Sequence, residues 1–457
     1  MITRSLRPEL IESISRLKKT KEAGKKPKVW VEAYGCSASM ADSEMISGLL
    51  RNAGYDIAGS HSEGAMSLVV TCSVKDATEH KMMSRIRSLT QSGKPLVVAG
   101  CLPKADRARV EALSPSASLL GPHSIDRVVE VASSALSGLR LVALEDSAGD
   151  KINVPRLRMN PVVSIVEIAS GCMSECTFCQ TKLAKGWLRS YRIGDIMKQI
   201  RNDIDGGCKE VWLTSTDNGC YGKDIGSSLV ELLNSCCSLE GSFKIRLGMM
   251  NPMYVPEMLD GLVDIFRRND KLFKFLHIPV ESGSETILRK MKRGHTARTF
   301  LDAVSAFRRA IPEMAISTDI IVGFPSETEE DFQATLDLVA RAEPDTVNLS
   351  RYGARPGTES AAWKGNRISS QVAKDRSRRL HALARDIAQK RNSLWVGWQG
   401  EIIIDEIKNG SVQGRNYAYK SVVLDEKDHA ALGETKRIKV YDFSKFSLKA
   451  KTILQAS

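Results

Sequence analysis

The chain has 457 residues, a formal net charge of +12, 42% hydrophobic and 26% charged residues, and ten cysteines. This length exceeds one ordinary domain and suffices for two or three cores, while no apolar run approaches the roughly 20 residues that span a bilayer, so a membrane-crossing chain is not expected. The positive balance suits a polyanionic partner, although net charge alone speaks only of solubility and non-specific association.

The N-terminus, MITRSLRPELIESISRLKKTKEAGKK, has no apolar h-region and no small-residue cleavage site. A secretory signal is therefore not expected, and the predicted compartment is cytosolic, where ten cysteines point to metal or catalysis before disulfides. Residues 1–28 hold nine Lys/Arg against three acids, and residues 1–27 read as a basic leader. From residue 28 short β-branched runs alternate with helical stretches, the pattern of an α/β domain. Strands are expected at KVWVEAY from 28, MSLVVT from 66 and PLVVAG from 95, with helices near 40–54 and 76–92. This predicts a doubly wound parallel-sheet domain over 28–140, followed by a polar linker over 141–157.

Each of these three strands is followed by a cysteine: Cys36, Cys72 and Cys101. The carboxyl ends of parallel strands share one sheet edge, the usual ligand crevice, so cysteines about 30 residues apart can meet there. A lone cysteine is often a small core hydrophobe; three in register are not readily explained that way. Three ligands imply a [4Fe-4S] cluster with one open iron.

From about 160 six further strands are expected (PVVSIVEIAS, EVWLTST, FKIRLGM, FKFLHIPV, AISTDIIVGF and DTVNLSRYG), separated by helix-like stretches. Six such units over 158–395 fit a partial (β/α)6 barrel. Just past its first strand stands SGCMSECTFC, with Cys172, Cys176 and Cys179 in C-x3-C-x2-C spacing. A closed zinc site needs a fourth ligand, and none lies nearby in sequence. A [4Fe-4S] cluster held by these three would leave one iron open to chelate the amino and carboxylate groups of S-adenosylmethionine. Residues 364–392 carry nine Lys/Arg against two acids, and residues 396–457 read as short strands of a small β-barrel. In that barrel Arg415 and Tyr417 pair a cation with an aromatic, suited to phosphate contact and base stacking, with a plain turn as the alternative.

The C-x3-C-x2-C loop resembles that of the radical S-adenosylmethionine superfamily, and with the upstream cysteines the chain is similar to the methylthiotransferases over about residues 28–457. YGCSASMADSE and VVAGCLP resemble the motifs of the first and third N-terminal cysteines; TSTDNGCYGKD, RLGMMNP, HIPVESGSETILRKMKRGHT, STDIIVGFPSETEEDF and RYGARPGT resemble successive barrel motifs. The terminal β-module resembles the TRAM domain of RNA-modifying enzymes. The resemblance implies two [4Fe-4S] clusters, on Cys36, Cys72 and Cys101 and on Cys172, Cys176 and Cys179. It implies two molecules of S-adenosylmethionine per turnover, one donating a methyl group and one cleaved to a 5'-deoxyadenosyl radical.

Phe178 is implied to pack near the adenine, and Ser215, Asp217, Glu281, Ser282 and Gly323 to line the S-adenosylmethionine pocket. Glu281 stands where the family often has Gln. Asp217 and Ser284 could equally be helix caps, and His277 either a satisfied barrel histidine or a ligand partner. Cys208, Cys220, Cys236 and Cys237 match no cluster position and are expected to be structural.

Partners implied are tRNA, an electron donor protein and a sulfur source, with no membrane. CTFCQTKLAKGWLRSY looks most like the archaeal and eukaryotic branch, which acts on N6-threonylcarbamoyladenosine at tRNA position 37, with Gln180, Leu183 and Lys185 departing from its usual residues. The eukaryotic members add a C-terminal membrane anchor; no such anchor is expected here, which favours an archaeal or bacterial-type cytosolic enzyme. The alternatives are the sister activity on N6-isopentenyladenosine, methylthiolation of an aspartate in a ribosomal protein, and a non-catalytic RNA-binding iron-sulfur protein.

Overall fold

Runs such as MSLVVT and LVVAG, apolar nearly throughout, suit central strands covered on both faces, and every residue of both is buried. They belong to a computed structural model that describes residues 27–73, 76–146 and 150–453, so the basic leader lies outside the described residues except for Pro27. The chain forms two compact units, one running through Met159 and including Leu183–Lys185, the other made of Asn160–Lys182 and Gly186 onward.

Among the described residues, the first unit carries a six-stranded parallel sheet. Its strands are β1 (Lys28–Ala33), β2 (Asp56–Ile57), β3 (Met66–Thr71), β4 (Leu96–Gly100), β5 (Ser118–Leu120) and β6 (Val142–Ala143), in the order β2-β1-β3-β4-β5-β6. The order reverses between β1 and β3, and such a switch point opens a crevice beyond the carboxyl ends of the strands. The sequence reading finds β1, β3 and β4. The other three hold two or three residues each, too few to show an alternation.

The second unit begins with β7 (Val163–Glu167) and a short antiparallel pair, β8 (Ala169–Ser170) with β9 (Arg189–Ser190). Then follow β10 (Glu210–Thr214), β11 (Lys244–Leu247), β12 (Phe275–His277), β13 (Ala315–Val322) and β14 (Thr346–Arg351). Parallel pairing runs β7-β10-β11 and β12-β13-β14, with an Ile245↔Leu272 bridge between the two sheets. The result is the expected six-stranded partial barrel, and amphipathic helices cover it. In Ala297–Ala310, for example, Phe300, Ala303, Val304 and Phe307 repeat at i, i+3, i+4 and i+7 and are all buried, behind a Thr296–Thr299 capping box.

The C-terminal barrel closes in the order β15-β16-β17-β19-β18, from β15 (Gln399–Lys408), β16 (Ser411–Arg415), β17 (Ser421–Leu424), β18 (Thr435–Phe443) and β19 (Leu448–Thr452). Ile402, Ile404, Val422, Ile438, Val440 and Leu448 fill it. Its β16 departs from the sequence reading: Gly414 and Arg415 are paired strand residues, opposite Ile404 and Ile403. SVQGR has one sizeable apolar side chain, so its alternation is too faint to announce a strand.

Helix Ser370–Ser393 spends much of its positive charge inside this unit. Arg376 donates to Glu327 Oε2 at 2.7 Å, Arg379 pairs with Glu329, Lys390 with Glu343, and Arg391 with Asp345 at 3.2 Å. Asp345 also receives Arg308 at 3.2 Å and Lys420 of the terminal barrel at 2.7 Å. Among the described residues no helix is long and apolar enough to cross a membrane.

Arg376 and Glu327 are both almost wholly buried, and removing one partner of such a pair leaves an uncompensated charge. Arg376→Ala is expected to destabilise the second unit by about 3 kcal/mol, read as a lower Tm in thermal denaturation. An unchanged Tm would show that the pair contributes nothing.

Candidate functional site

The first unit brings Cys36, Cys72 and Cys101 to the edge that their strands share. Cys36 opens helix Ser37–Asn52 directly after β1, Cys72 follows β3, and Cys101 opens helix Cys101–Ala105 after β4. The approach is very close. Gly35 has φ +115°, and a Cβ there would fall 2.1 Å from Cys72 Cβ and 2.7 Å from its sulfur. Only glycine allows that approach in that conformation. The Cys36 thiol is lowered to about 5, first by a hydrogen bond from Cys72, and Ser39 Oγ lies 3.6 Å from its sulfur. Burial pushes Cys101 up to about 12. Cys36 and Cys101 thus differ widely in acidity, and cysteines set along the strand ends at a topological switch point suit a cluster that binds thiolates.

In the second unit β8 delivers Gly171 and the loop that follows carries Cys172, Cys176 and Cys179. The Ser174 amide donates to Cys172 Sγ at 3.3 Å and the Cys179 amide to Cys176 O at 3.1 Å. Burial raises Cys176 to about 11 and also raises Cys179, each further opposed by another cysteine of the same loop. Arg293 counters this: its Nη1 donates to Cys176 Sγ at 3.2 Å, while Nη2 donates to Pro279 O at 3.0 Å and lies 3.9 Å from Glu281. Nothing in the KMKRGHT stretch sets Arg293 apart from its basic neighbours. A basic residue in a basic stretch reads as surface, and the signal available was its place after a short helix in a barrel motif.

Asp217 lies beneath this loop. Its Oδ1 accepts from the Gly219 and Asn251 amides, both at 3.0 Å, and its Oδ2 lies 3.9 Å from Cys172 Sγ. Burial, then the nearby Cys172, raises it to about 7. Asp217 is thus a helix cap, and Ser284 is a cap as well, accepting from the Ile287 amide. Asn251 in turn meets His295 Nδ1 at 3.1 Å and donates to Ser174 Oγ at 3.3 Å. His295 is held neutral, lowered to about 3 by burial and by Arg293. Cys220, expected to be structural, instead joins Cys172 and Asp217, with ligand atoms within 4.8 Å of one another. Its hydrogen bond is the largest influence lowering Cys172 to about 6.

The other residues expected to line the S-adenosylmethionine pocket fall at or just after strand ends of the same barrel, Phe178 in the cysteine loop excepted. Ser215 is buried just beyond β10, and its hydroxyl has no hydrogen-bond partner. Glu281 adopts φ +71°, a costly conformation for a non-glycine residue and one that clusters at functional sites. Ser282 Oγ accepts from the Ser284 amide and meets Thr335 Oγ1 at 3.3 Å, so it shapes the turn. The Gly323 amide donates to Glu327 Oε2 at 2.7 Å, the carboxylate that Arg376 clamps. Phe178 packs edge-on against buried Phe324 with ring centroids 6.4 Å apart.

His277 is a satisfied barrel histidine, 2.6 Å from Asp319. Arg415 pairs with Asp405 at 2.9 Å beneath the Tyr419 ring, and Tyr417 packs on Trp395 and Trp398. Both contribute to the barrel's packing. An exposed aromatic with a cation over it stands at Phe446, 4.6 Å from Lys445 Nζ.

Residues 166–339 match the model of the Radical SAM superfamily, and residues 28–121 match the Uncharacterized protein family UPF0004. A radical S-adenosylmethionine methyltransferase from Kitasatospora setae shares the fold, with a TM-score of 0.51 at 13% identity over 74% of this chain and 75% of that one. Fold and cysteine loop therefore define a radical S-adenosylmethionine enzyme, a class that works with a [4Fe-4S] cluster and S-adenosylmethionine. A probable threonylcarbamoyladenosine tRNA methylthiotransferase of Pyrococcus horikoshii is 42% identical over 87% of this chain and 94% of its own length. The threonylcarbamoyladenosine tRNA methylthiotransferase of Drosophila melanogaster is 35% identical over 92% of this chain and 77% of that protein. The chain belongs to the threonylcarbamoyladenosine tRNA methylthiotransferase family.

The thiol acidities predict a labelling order in cluster-free protein. At pH 7, above the value of about 5 for exposed Cys36 and far below the value of about 12 for buried Cys101, the first is a thiolate and the second is not. Iodoacetamide should modify Cys36 at least about tenfold faster than Cys101, as followed by peptide mass spectrometry. Equal rates would contradict this ordering.

Proposed function

We propose that this enzyme converts N6-threonylcarbamoyladenosine at position 37 of tRNA to its 2-methylthio derivative. The carrying observation is that 87% of the chain aligns at 42% identity with a relative named for that tRNA methylthiotransferase activity; three cysteines of this chain follow parallel strands of the first unit and three lie on the loop after β8. Two [4Fe-4S] clusters serve the reaction, one on Cys36, Cys72 and Cys101 and one on Cys172, Cys176 and Cys179. When bound, the barrel cluster supplies the electron that splits S-adenosylmethionine, and the N-terminal cluster supplies the site that holds the sulfur to be transferred. Two molecules of S-adenosylmethionine are used per turnover, one as methyl donor and one as radical source, with an electron donor protein and a sulfur source as further partners.

The chain's own residues fit these demands. The closeness of Gly35 to Cys72 supports a shared ligand at the first set, and the unpartnered, buried Ser215 hydroxyl supports a polar ligand beside the second. Arg293 gives Cys176 a charge-assisted hydrogen bond that favours its thiolate form. Asp217 and Asn251 lock the loop floor so that Cys172 is held in place before a cofactor arrives. Phe178, with Phe324 behind it, offers a flat apolar wall to the adenine, and Glu281, Ser282 and Gly323 frame the rest of that pocket.

The test is nucleoside mass spectrometry after anaerobic incubation of reconstituted enzyme with reductant, S-adenosylmethionine and tRNA bearing N6-threonylcarbamoyladenosine, with isopentenylated tRNA in parallel. Wild type should give the methylthio product on the first tRNA alone. Cys176→Ala should abolish 5'-deoxyadenosine and product together, whereas Cys101→Ala should still form 5'-deoxyadenosine with no methylthio product. Product only on the isopentenylated tRNA would move the enzyme to the sister activity, and 5'-deoxyadenosine without either product would point to a protein substrate.

A further inference from the structure

Trp187 stands beside the radical loop and takes no part in the chemistry described so far. Pairing of β8 with β9 sets it opposite Cys172: the Cys172 amide donates to Gly186 O at 3.2 Å. Gly171, at φ +74°, comes so near that a Cβ on it would lie 1.9 Å from Trp187 O. The tryptophan backbone is therefore fixed to the cluster motif itself.

The indole, by contrast, is 66% exposed, although a side chain of this size is on average highly buried. One face is occupied. Lys182 Nζ sits 3.6 Å from the ring centroid and also donates to Cys172 O, so a cation tethered to the loop holds the ring in one orientation. Since a cation–π contact fills one face only, the exposed area belongs to the other face and the ring edge.

We propose that Trp187 is the platform on which a base of the substrate RNA stacks beside the radical centre. The inference rests on tRNA being the substrate. Unpaired bases in RNA loops splay out and stack on aromatic faces, and such stacking needs a flat, pre-oriented ring rather than a particular base sequence. A ring pinned within one residue of a cluster ligand would orient the strand where the target carbon must be presented. Exposed Met173, next to Cys172, gives the same rim a second apolar contact.

The experiment compares reconstituted wild type, Trp187→Ala and Trp187→Phe for tRNA KM, kcat, iron per chain, and quenching of tryptophan emission when tRNA is added. Losing the ring should raise KM about tenfold, while Phe should stay within about threefold of wild type. Iron per chain should match wild type in both variants, and the tRNA-dependent quenching should shrink in Trp187→Phe. An unchanged KM in Trp187→Ala, a Phe variant as impaired as the Ala variant, or loss of iron would overturn the proposal, the last by showing that the indole only supports the cluster loop. Wild type inert on this tRNA would overturn the substrate reading and this inference with it. Active wild type with an unaffected Trp187→Ala would overturn this inference alone.

Discussion

The loops that carry the cysteines depend on backbone approaching closer than side chains normally permit, and the structure allows this with missing Cβ atoms. Gly35 lets Cys72 approach to a distance any other residue would block, and Gly171 does the same for the strand that returns beside Cys172. Parallel strands set the approximate meeting place, because their carboxyl ends share an edge. Glycine then closes the remaining ångströms. The cost is conformational entropy at each glycine, met by the buried sheet and barrel on which the loops are mounted.

Around the barrel loop the interior is polar and closed to water, so each group there depends on a specific neighbour. Arg293 is the main compensating charge, touching Cys176 and standing near Glu281, and together with burial, the larger influence, it keeps His295 neutral. His295 and Asn251 then tie the loop to Asp217 with uncharged hydrogen bonds. In a medium of low dielectric such a network is worth most when complete and costs most when partly broken. Ser215, buried at the end of the neighbouring strand, keeps a hydroxyl with no hydrogen-bond partner.

Much of this was legible from residues alone because the chemistry is written in short spacings. C-x3-C-x2-C announces its cluster without any structure, and three cysteines each following a β-branched run announce a common edge. Legibility failed where meaning depends on distant contacts. Cys220 reads as an ordinary core thiol until the fold sets it against Cys172, and Arg293 reads as surface until the barrel buries it. For Arg415 and Tyr417 the sequence shows a cation beside an aromatic but not their internal partners, Asp405 for the first and two tryptophans for the second. Strands of two or three residues, such as β2 and β6, carry no period to detect and exist because neighbouring strands pair with them.

The helix Ser370–Ser393 has a consequence for how RNA is held. Its strongly positive composition suggests a polyanion-binding surface, yet Arg376, Arg379, Lys390 and Arg391 are each closed against a carboxylate of the same unit. A phosphate gains affinity from a cation chiefly by releasing the counterions condensed on the nucleic acid, and the buried guanidiniums of Arg376 and Arg391, already paired within the protein, have little charge left to displace them. The logarithmic salt slope of tRNA binding will therefore be shallower than a count of arginines and lysines implies. More of the affinity will come from shape and stacking, and it will persist at ionic strengths that dissociate a purely electrostatic complex.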